Sequence, residues 1–249
     1  MSLEPWQWVL AVIGALAVGV SKTGLGGLAM LAVVIFANLM PAKVSSGFVL
    51  PMLVLGDVVA VAVYRRHAVW SHLWRLFPWA GLGVVLGYLT MGRIDNRQAG
   101  WLIGGIVLLL VALHVVRRAR AGNEEPEHAW WFAPLIGLLA GFTTLVANAA
   151  GPLMAIYLLA MRLPKMEYMG TGAHYFMLMN LFKVPFMIRL GLVTPASLMG
   201  NLWLAPAVLA GTLLGRVLLH RLNQKLFENL ALLLSVVAGL YLLYQSWRG

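Results

Sequence analysis

Along its 249 residues the chain alternates apolar runs with short polar breaks. The runs cover residues 6–20, 28–39, 48–64, 73–91, 100–116, 129–146, 152–161, 171–190, 196–219 and 226–247. A helix needs about 20 apolar residues to cross a hydrocarbon core about 30 Å thick. The runs at 6–20, 28–39 and 152–161 are too short to cross comfortably alone, and with 129–146 they come as two adjacent pairs, each divided by a break. Ser21-Lys22-Thr23-Gly24-Leu25-Gly26-Gly27 joins the first pair, and Asn148-Ala149-Ala150-Gly151-Pro152 joins the second. Each pair predicts a half-helix, a break and a second half-helix. Irregular backbone at membrane depth survives only where protein buries it or water lines it, so the two breaks are expected to meet inside the protein.

A short pair followed by three long runs occurs twice. Setting position n against n + 123 places Pro41 on Pro164, Gly47 on Gly170, Asp57 on Asn180, Gly92 on Gly215, and Gly26-Gly27 on Ala149-Ala150. This order and register predict an internal duplication, with a first repeat over 1–117, a polar linker over 118–128 and a second repeat over 129–249. The linker, with Arg118, Arg120, Glu124, Glu125 and Glu127, is the one strongly polar stretch.

Composition removes the soluble alternatives. Hydrophobic residues make up 61% of the chain and charged residues 10%, against roughly 25% charged in soluble domains. So few charges cannot cover a globule of this size, and lipid is the expected solvent. The net charge of +10 does not point to nucleic acid, because the basic residues lie in short clusters between apolar runs, as in Arg65-Arg66 and Arg117-Arg118-Ala119-Arg120. That pattern belongs to loops facing a negative leaflet.

If each short pair turns back to its own side, three spans remain per half and the halves are inverted. Arg65, Arg66, Arg75, Arg162, Lys165, Arg216, Arg221 and Lys225 then join the linker-proximal arginines on the presumed cytoplasmic face, against Lys43, Arg93, Arg97, Arg189 and Arg248 opposite. Pairs that cross as one broken span would make the repeats parallel and erase this asymmetry. The expected fold is therefore an all-α polytopic membrane protein of two inverted structural repeats, each a re-entrant or broken helix pair followed by three transmembrane helices, with both termini outside. No basic region precedes the first apolar run, so a cleaved leader is not expected. With no cysteine, disulfides and thiolate chemistry are excluded.

The candidate chemistry gathers at the breaks. Glycine at Gly24, Gly26, Gly27 and Gly151, with Ala149 and Ala150, lets backbone amides approach a ligand, and each second half-helix offers free N–H groups at its positive end. Two such ends converging near the midplane would bind an anion; the plainer alternative is that small residues merely pack helices closely. Lys22, costly at bilayer depth unless compensated, would complement the anion, or else snorkel to the surface. Asp57 and Lys183 fall about a turn apart in the repeat register. They are expected to form an ion pair, or Asp57 to serve as a proton-coupling carboxylate. Asn148 and Asn180 offer donors and acceptors, and Thr23, Thr171 and His174 could complete a polar cavity or simply bond helix to helix. No HExxH, nucleophile elbow, phosphate loop or dinucleotide fingerprint occurs, and no metal or cofactor is expected. Trp6, Trp8, Trp70, Trp74, Trp130, Trp131 and Trp247 near run ends read as an interfacial belt.

With SKTGLGGLAM, PMLVLGDVVAVAVYRRHAVW, NAAGPLMAIYLLAMRLPK and GTGAHYFMLMNLFKVP in view, the chain resembles the TauE/SafE family of sulfite and organosulfonate exporters over nearly its whole length. The resemblance implies a secondary carrier of the bacterial cytoplasmic membrane that moves sulfite, sulfoacetate or related sulfonates without ATP or a prosthetic group. Its expected partners are a small anion, the lipid bilayer and protons as a candidate coupling ion. A channel-like anion pore is the alternative function, since paired re-entrant hairpins also build selectivity filters.

Overall fold

The computed structural model describes residues 4–91, 95–120 and 130–248, among which all regular structure is helical. The first half contains α1 (Pro5–Thr23), a 3-10 turn (Gly26–Leu28), α2 (Ala29–Leu39), α3 (Ala42–Tyr64), a second 3-10 turn (Arg65–His67), α4 (Trp70–Thr90) and α5 (Asn96–Arg120). The second half contains α6 (Phe132–Ala147), α7 (Ala150–Ala160), α8 (Lys165–Arg189), α9 (Pro195–Arg221) and α10 (Gln224–Arg248). The expected linker thus starts in the last turn of α5. Its residues 121–128, with Gly92 and Arg93, lie outside the described residues, as do the side chains of Lys43, Arg117, Arg118 and Arg120.

Local chemistry explains where these helices begin. Pro41 and Pro164 stand at equivalent positions before α3 and α8 with φ of −51° and −54°, the value the proline ring imposes, and each turns the chain into the next helix. Thr194 and Ser197 form a reciprocal capping box at the start of α9, with Pro195 in its first turn. At 1.5 Å per residue the 11-residue helices α2 and α7 reach about 16 Å, half of a hydrocarbon core. Among the described residues, Pro5–Thr23, Val44–His67, Pro195–Arg221 and Gln224–Arg248 are long and apolar enough to cross a membrane. Helix α8 has the length, but Glu167, Asn180 and Lys183 interrupt its apolar character.

Both breaks are shorter than the sequence suggests. Ser21, Lys22 and Thr23 stay helical, and α1 ends only at Gly24; the Ser21 hydroxyl turns back to the Val18 carbonyl at 2.7 Å, so the polar run satisfies itself without leaving the helix. In the second break only Asn148 and Ala149 separate α6 from α7. Pro152 falls in the first turn of α7, where the N–H it lacks would have no intrahelical partner.

Each short pair folds back on itself. Phe36 of α2 lies against Gly14 of α1, and Phe132 of α6 stacks on Tyr157 of α7 with ring centroids 5.8 Å apart. The pairs then pack into the other half: α1 along α9, and α6 along α4. Both of these contacts are parallel, since Leu16 and Val20 lie beside Gly211 and Gly215, while Gly137 and Gly141 lie beside Leu76 and Ala80. Helices α3 and α8 run antiparallel, with Gly47 at Leu192, Asp57 at Asn180 and His67 at Gly170. Offset by 123, each helix from α1 to α5 overlies the one five places later.

Lipid gives little driving force for burying apolar faces, so the bundle relies on close backbone approach at small residues. A Cβ on Gly19 would lie 2.1 Å from the Val208 carbonyl oxygen, and one on Gly141 only 1.9 Å from that of Ala80. The outer surfaces are apolar: Leu202, Trp203 and Leu213 on α9 and Leu233 and Leu240 on α10 are exposed. Trp6, Trp74, Trp130 and Trp247 are exposed near helix ends, as an interfacial belt requires.

Gly141→Val should therefore overpack the α4/α6 contact, costing at least about 1–3 kcal/mol. Gly105→Ala, where an added Cβ meets nothing within 4 Å, should be neutral or stabilising by up to about 1 kcal/mol. Thermal unfolding of the two purified variants in detergent checks this, and equal melting temperatures would contradict the packing argument.

Candidate functional site

The first break is anchored on three sides. Tyr64 donates its hydroxyl to the Thr23 carbonyl at 2.6 Å, capping the end of α1, and Thr23 donates its own hydroxyl to the Thr212 carbonyl at 2.6 Å. Gly24 lies against Gly215, where a Cβ would meet the carbonyl oxygen at 2.8 Å. From there the chain crosses to α7, and a Cβ on Gly151 would lie 3.6 Å from the Gly26 carbonyl oxygen. The two breaks therefore meet, as membrane burial requires of irregular backbone.

At the second break α6 ends on Asn148 in the left-handed region, φ 52°, a conformation asparagine tolerates better than most residues. Its amide group donates to the Ser46 carbonyl at 2.9 Å, which ties the break to α3. Helix α7 starts two residues later. The N–H groups of its first turn have no intrahelical acceptors, so its positive end faces the meeting point.

A cavity of about 60 Å³ lies where the breaks meet, bounded by Lys22, Gly26, Asp57, Asn148, Gly151 and Asn180. At about 30 Å³ per water it has room for roughly two. Its charges are organised by one carboxylate. Asp57, fully buried, holds the Lys22 ammonium at 2.6 Å through Oδ1 and accepts from the Asn180 amide at 2.5 Å through Oδ2. The Phe176 ring lies 4.8 Å from the Lys22 nitrogen, a cation–π contact that fills the other side of the ammonium.

The expected pair between Asp57 and Lys183 is not formed. Lys183 stands about a turn beyond Asn180 on α8, level with the end of α6, and donates to the Thr144 carbonyl at 3.1 Å, to the Thr144 hydroxyl at 3.3 Å and to the Asn148 side-chain oxygen. It neutralises the negative end of α6, which leaves Asp57 to the cation on α1.

Of the residues singled out from sequence, Lys22, Gly26, Asn148, Gly151, Asn180 and Asp57 line the cavity. Thr23 and Gly24 serve the α1/α9 contact instead. Ala149 and Ala150 are buried behind the wall, and Gly27 belongs to the 3-10 turn. Thr171 accepts from the Val69 amide at 2.9 Å. His174 bonds the Gly170 carbonyl at 2.8 Å and meets Trp70 edge-on. Ser21, at the start of the first break, and Thr144 and Phe176, which the sequence reading did not single out, are also on the wall.

A family model, Sulfite exporter TauE/SafE, matches residues 10–242. No curated protein and no solved structure matches the chain.

Removing one member of a buried ion pair costs about 3–5 kcal/mol, because the other charge is stranded. Lys22→Met should therefore lower stability by about that much. The double variant Lys22→Met/Asp57→Asn should recover most of the loss, since no charge is left unpaired. A double-mutant cycle on thermal unfolding decides; strictly additive losses would mean the two side chains do not interact.

Proposed function

Because the chain belongs to the sulfite exporter TauE/SafE family, we propose that it is a secondary transporter that moves small sulfur-containing anions, such as sulfite, sulfoacetate or related organosulfonates, across the bacterial cytoplasmic membrane. The observation that carries this reading is the meeting of both chain breaks at one small cavity that holds the Lys22 ammonium. An oxyanion there would take charge from Lys22, hydrogen bonds from the Asn148 or Asn180 amides, and the positive field of the α7 N-terminus. The cavity suits an anion of sulfite size; a longer sulfonate needs it to open.

Alternating access would come from two inverted repeats moving against each other about this site. Three features of the fold support inversion. The helices of the two halves align at one offset, the short pairs fold back on themselves, and the equivalent helices α3 and α8 run antiparallel with Asp57 facing its own counterpart Asn180. A two-fold axis lying across the helices relates elements in this way, whereas an axis along them would leave equivalent helices parallel.

Counterflow in proteoliposomes tests the assignment. Vesicles loaded with unlabelled sulfite or methanesulfonate should accumulate the labelled compound saturably, and Lys22→Met/Asp57→Asn, which strands no buried charge, should lose at least about 90% of that flux if Lys22 contributes the ~1.5–3 kcal/mol of a charge-assisted bond. Flux that neither saturates nor exchanges would indicate a pore, and no flux of either compound would sink the sulfur-anion assignment.

A further inference from the structure

If the transport reading above is right, the anion needs Lys22, yet Lys22 is already committed to Asp57 at 2.6 Å. An anion reaching Lys22 while Asp57 is ionised meets a carboxylate about 4 Å away. At an effective dielectric of about 20 that repulsion weakens binding by about a thousandfold. We propose that Asp57 carries the proton of the transport cycle, taking one up as the anion arrives at Lys22 and giving it up as the anion leaves, so that one proton travels with each anion. The inference rests on the transport reading and adds its coupling ion.

The atoms allow this without disturbing the rest of the site. The Asn180 amide donates to Oδ2, and that oxygen can accept equally well as the carbonyl of a carboxylic acid. The proton therefore adds to Oδ1, the oxygen that Lys22 releases. It comes from water on the side the anion enters and returns to water on the side it leaves. Lys22 stays an ammonium, and no bond to the anion is made or broken.

The surroundings single out Asp57. The charged and polar side chains facing it are Lys22 from α1 and Asn180 and Lys183 from α8. Helix α9 brings Val208 beside Gly56, and α6 brings Thr144 to the cavity wall. Among the described residues no second acid lines the cavity. Lys183 is off the wall and tied to the end of α6. The position equivalent to Asp57 in the repeat is Asn180, an amide that does not titrate, so the second half supplies no matching carboxyl there.

The test measures protons and anions together. The full chain in proteoliposomes, with membrane potential clamped by potassium and valinomycin and a pH dye inside, is given whichever of labelled methanesulfonate or sulfite exchanges in counterflow. Methanesulfonate has no proton to give, so any proton it brings is the carrier's; for sulfite, the value for D57N is the baseline. The expected ratio is about one proton per anion above that baseline, retained in D57E, which keeps a carboxyl, and lost in D57N. Net anion uptake by the wild type with no accompanying proton overturns the inference and leaves the transport reading standing. Absence of exchange for both anions overturns the transport reading itself, and the inference falls with it. Equal ratios for wild type and D57N with either anion likewise remove Asp57 from the role.

Discussion

A single buried carboxylate holds the centre of this molecule together. Asp57 has no exposed surface, and an ionised carboxyl at that depth survives only if charge and hydrogen bonds reach both oxygens. Lys22 reaches one from α1 and Asn180 reaches the other from α8. Three helices drawn from both halves are therefore committed to one group. The C-terminal end of α1, the middle of α3 and the middle of α8 cannot move independently without stranding a charge. Everything near the breaks is arranged around that requirement.

The two breaks face a related constraint, the unpaired backbone groups at four helix ends. The carbonyl ends are capped individually: Tyr64 caps α1, and Lys183 with the left-handed turn at Asn148 closes α6. The amide end of α7 is instead turned to the cavity. This division has a physical logic. A capped carbonyl end repels nothing and binds nothing, whereas amides left facing a cavity supply a positive field fixed in place by the fold. The glycine contacts outside the breaks serve neither purpose; they set the depth at which α1 and α9, and α4 and α6, approach.

Most of the fold was legible because lipid makes length and polarity so informative. Apolar pairs divided by a break, placed twice at one offset, pointed to breaks that meet inside the protein. Individual cavity-lining residues were legible where a polar group stood alone in an apolar run, as with Asp57 and Asn180, or where a charge stood at a break, as with Lys22. On α8 helical direction decides between the two readings open for Thr171 and His174. At 3.6 residues per turn, Gly172, Phe176 and Asn180 share a face, and Thr171 and His174 fall opposite, where they bond Val69 and the Gly170 carbonyl. Partner choice was not legible at all. The repeat register brought Lys183 about a turn from Asp57 but did not relate Lys22 to it, and the position of the α6 terminus is what draws Lys183 away.

That choice reveals how the halves differ. Each must fasten its break to its first long helix, α3 or α8. The first half does so with a cation on the break, Lys22, and an acid on the helix, Asp57. The second reverses the roles, with the cation on the helix, Lys183, and neutral acceptors at the end of α6, Thr144 and the capping Asn148. Neutral acceptors hold the Lys183 cation through dipoles alone, whereas at the Asp57 joint a carboxylate answers the Lys22 cation with a full opposite charge. Two halves of similar shape therefore fasten their breaks by different electrostatics, an ion pair in one and ion–dipole bonds in the other, with the cavity between them.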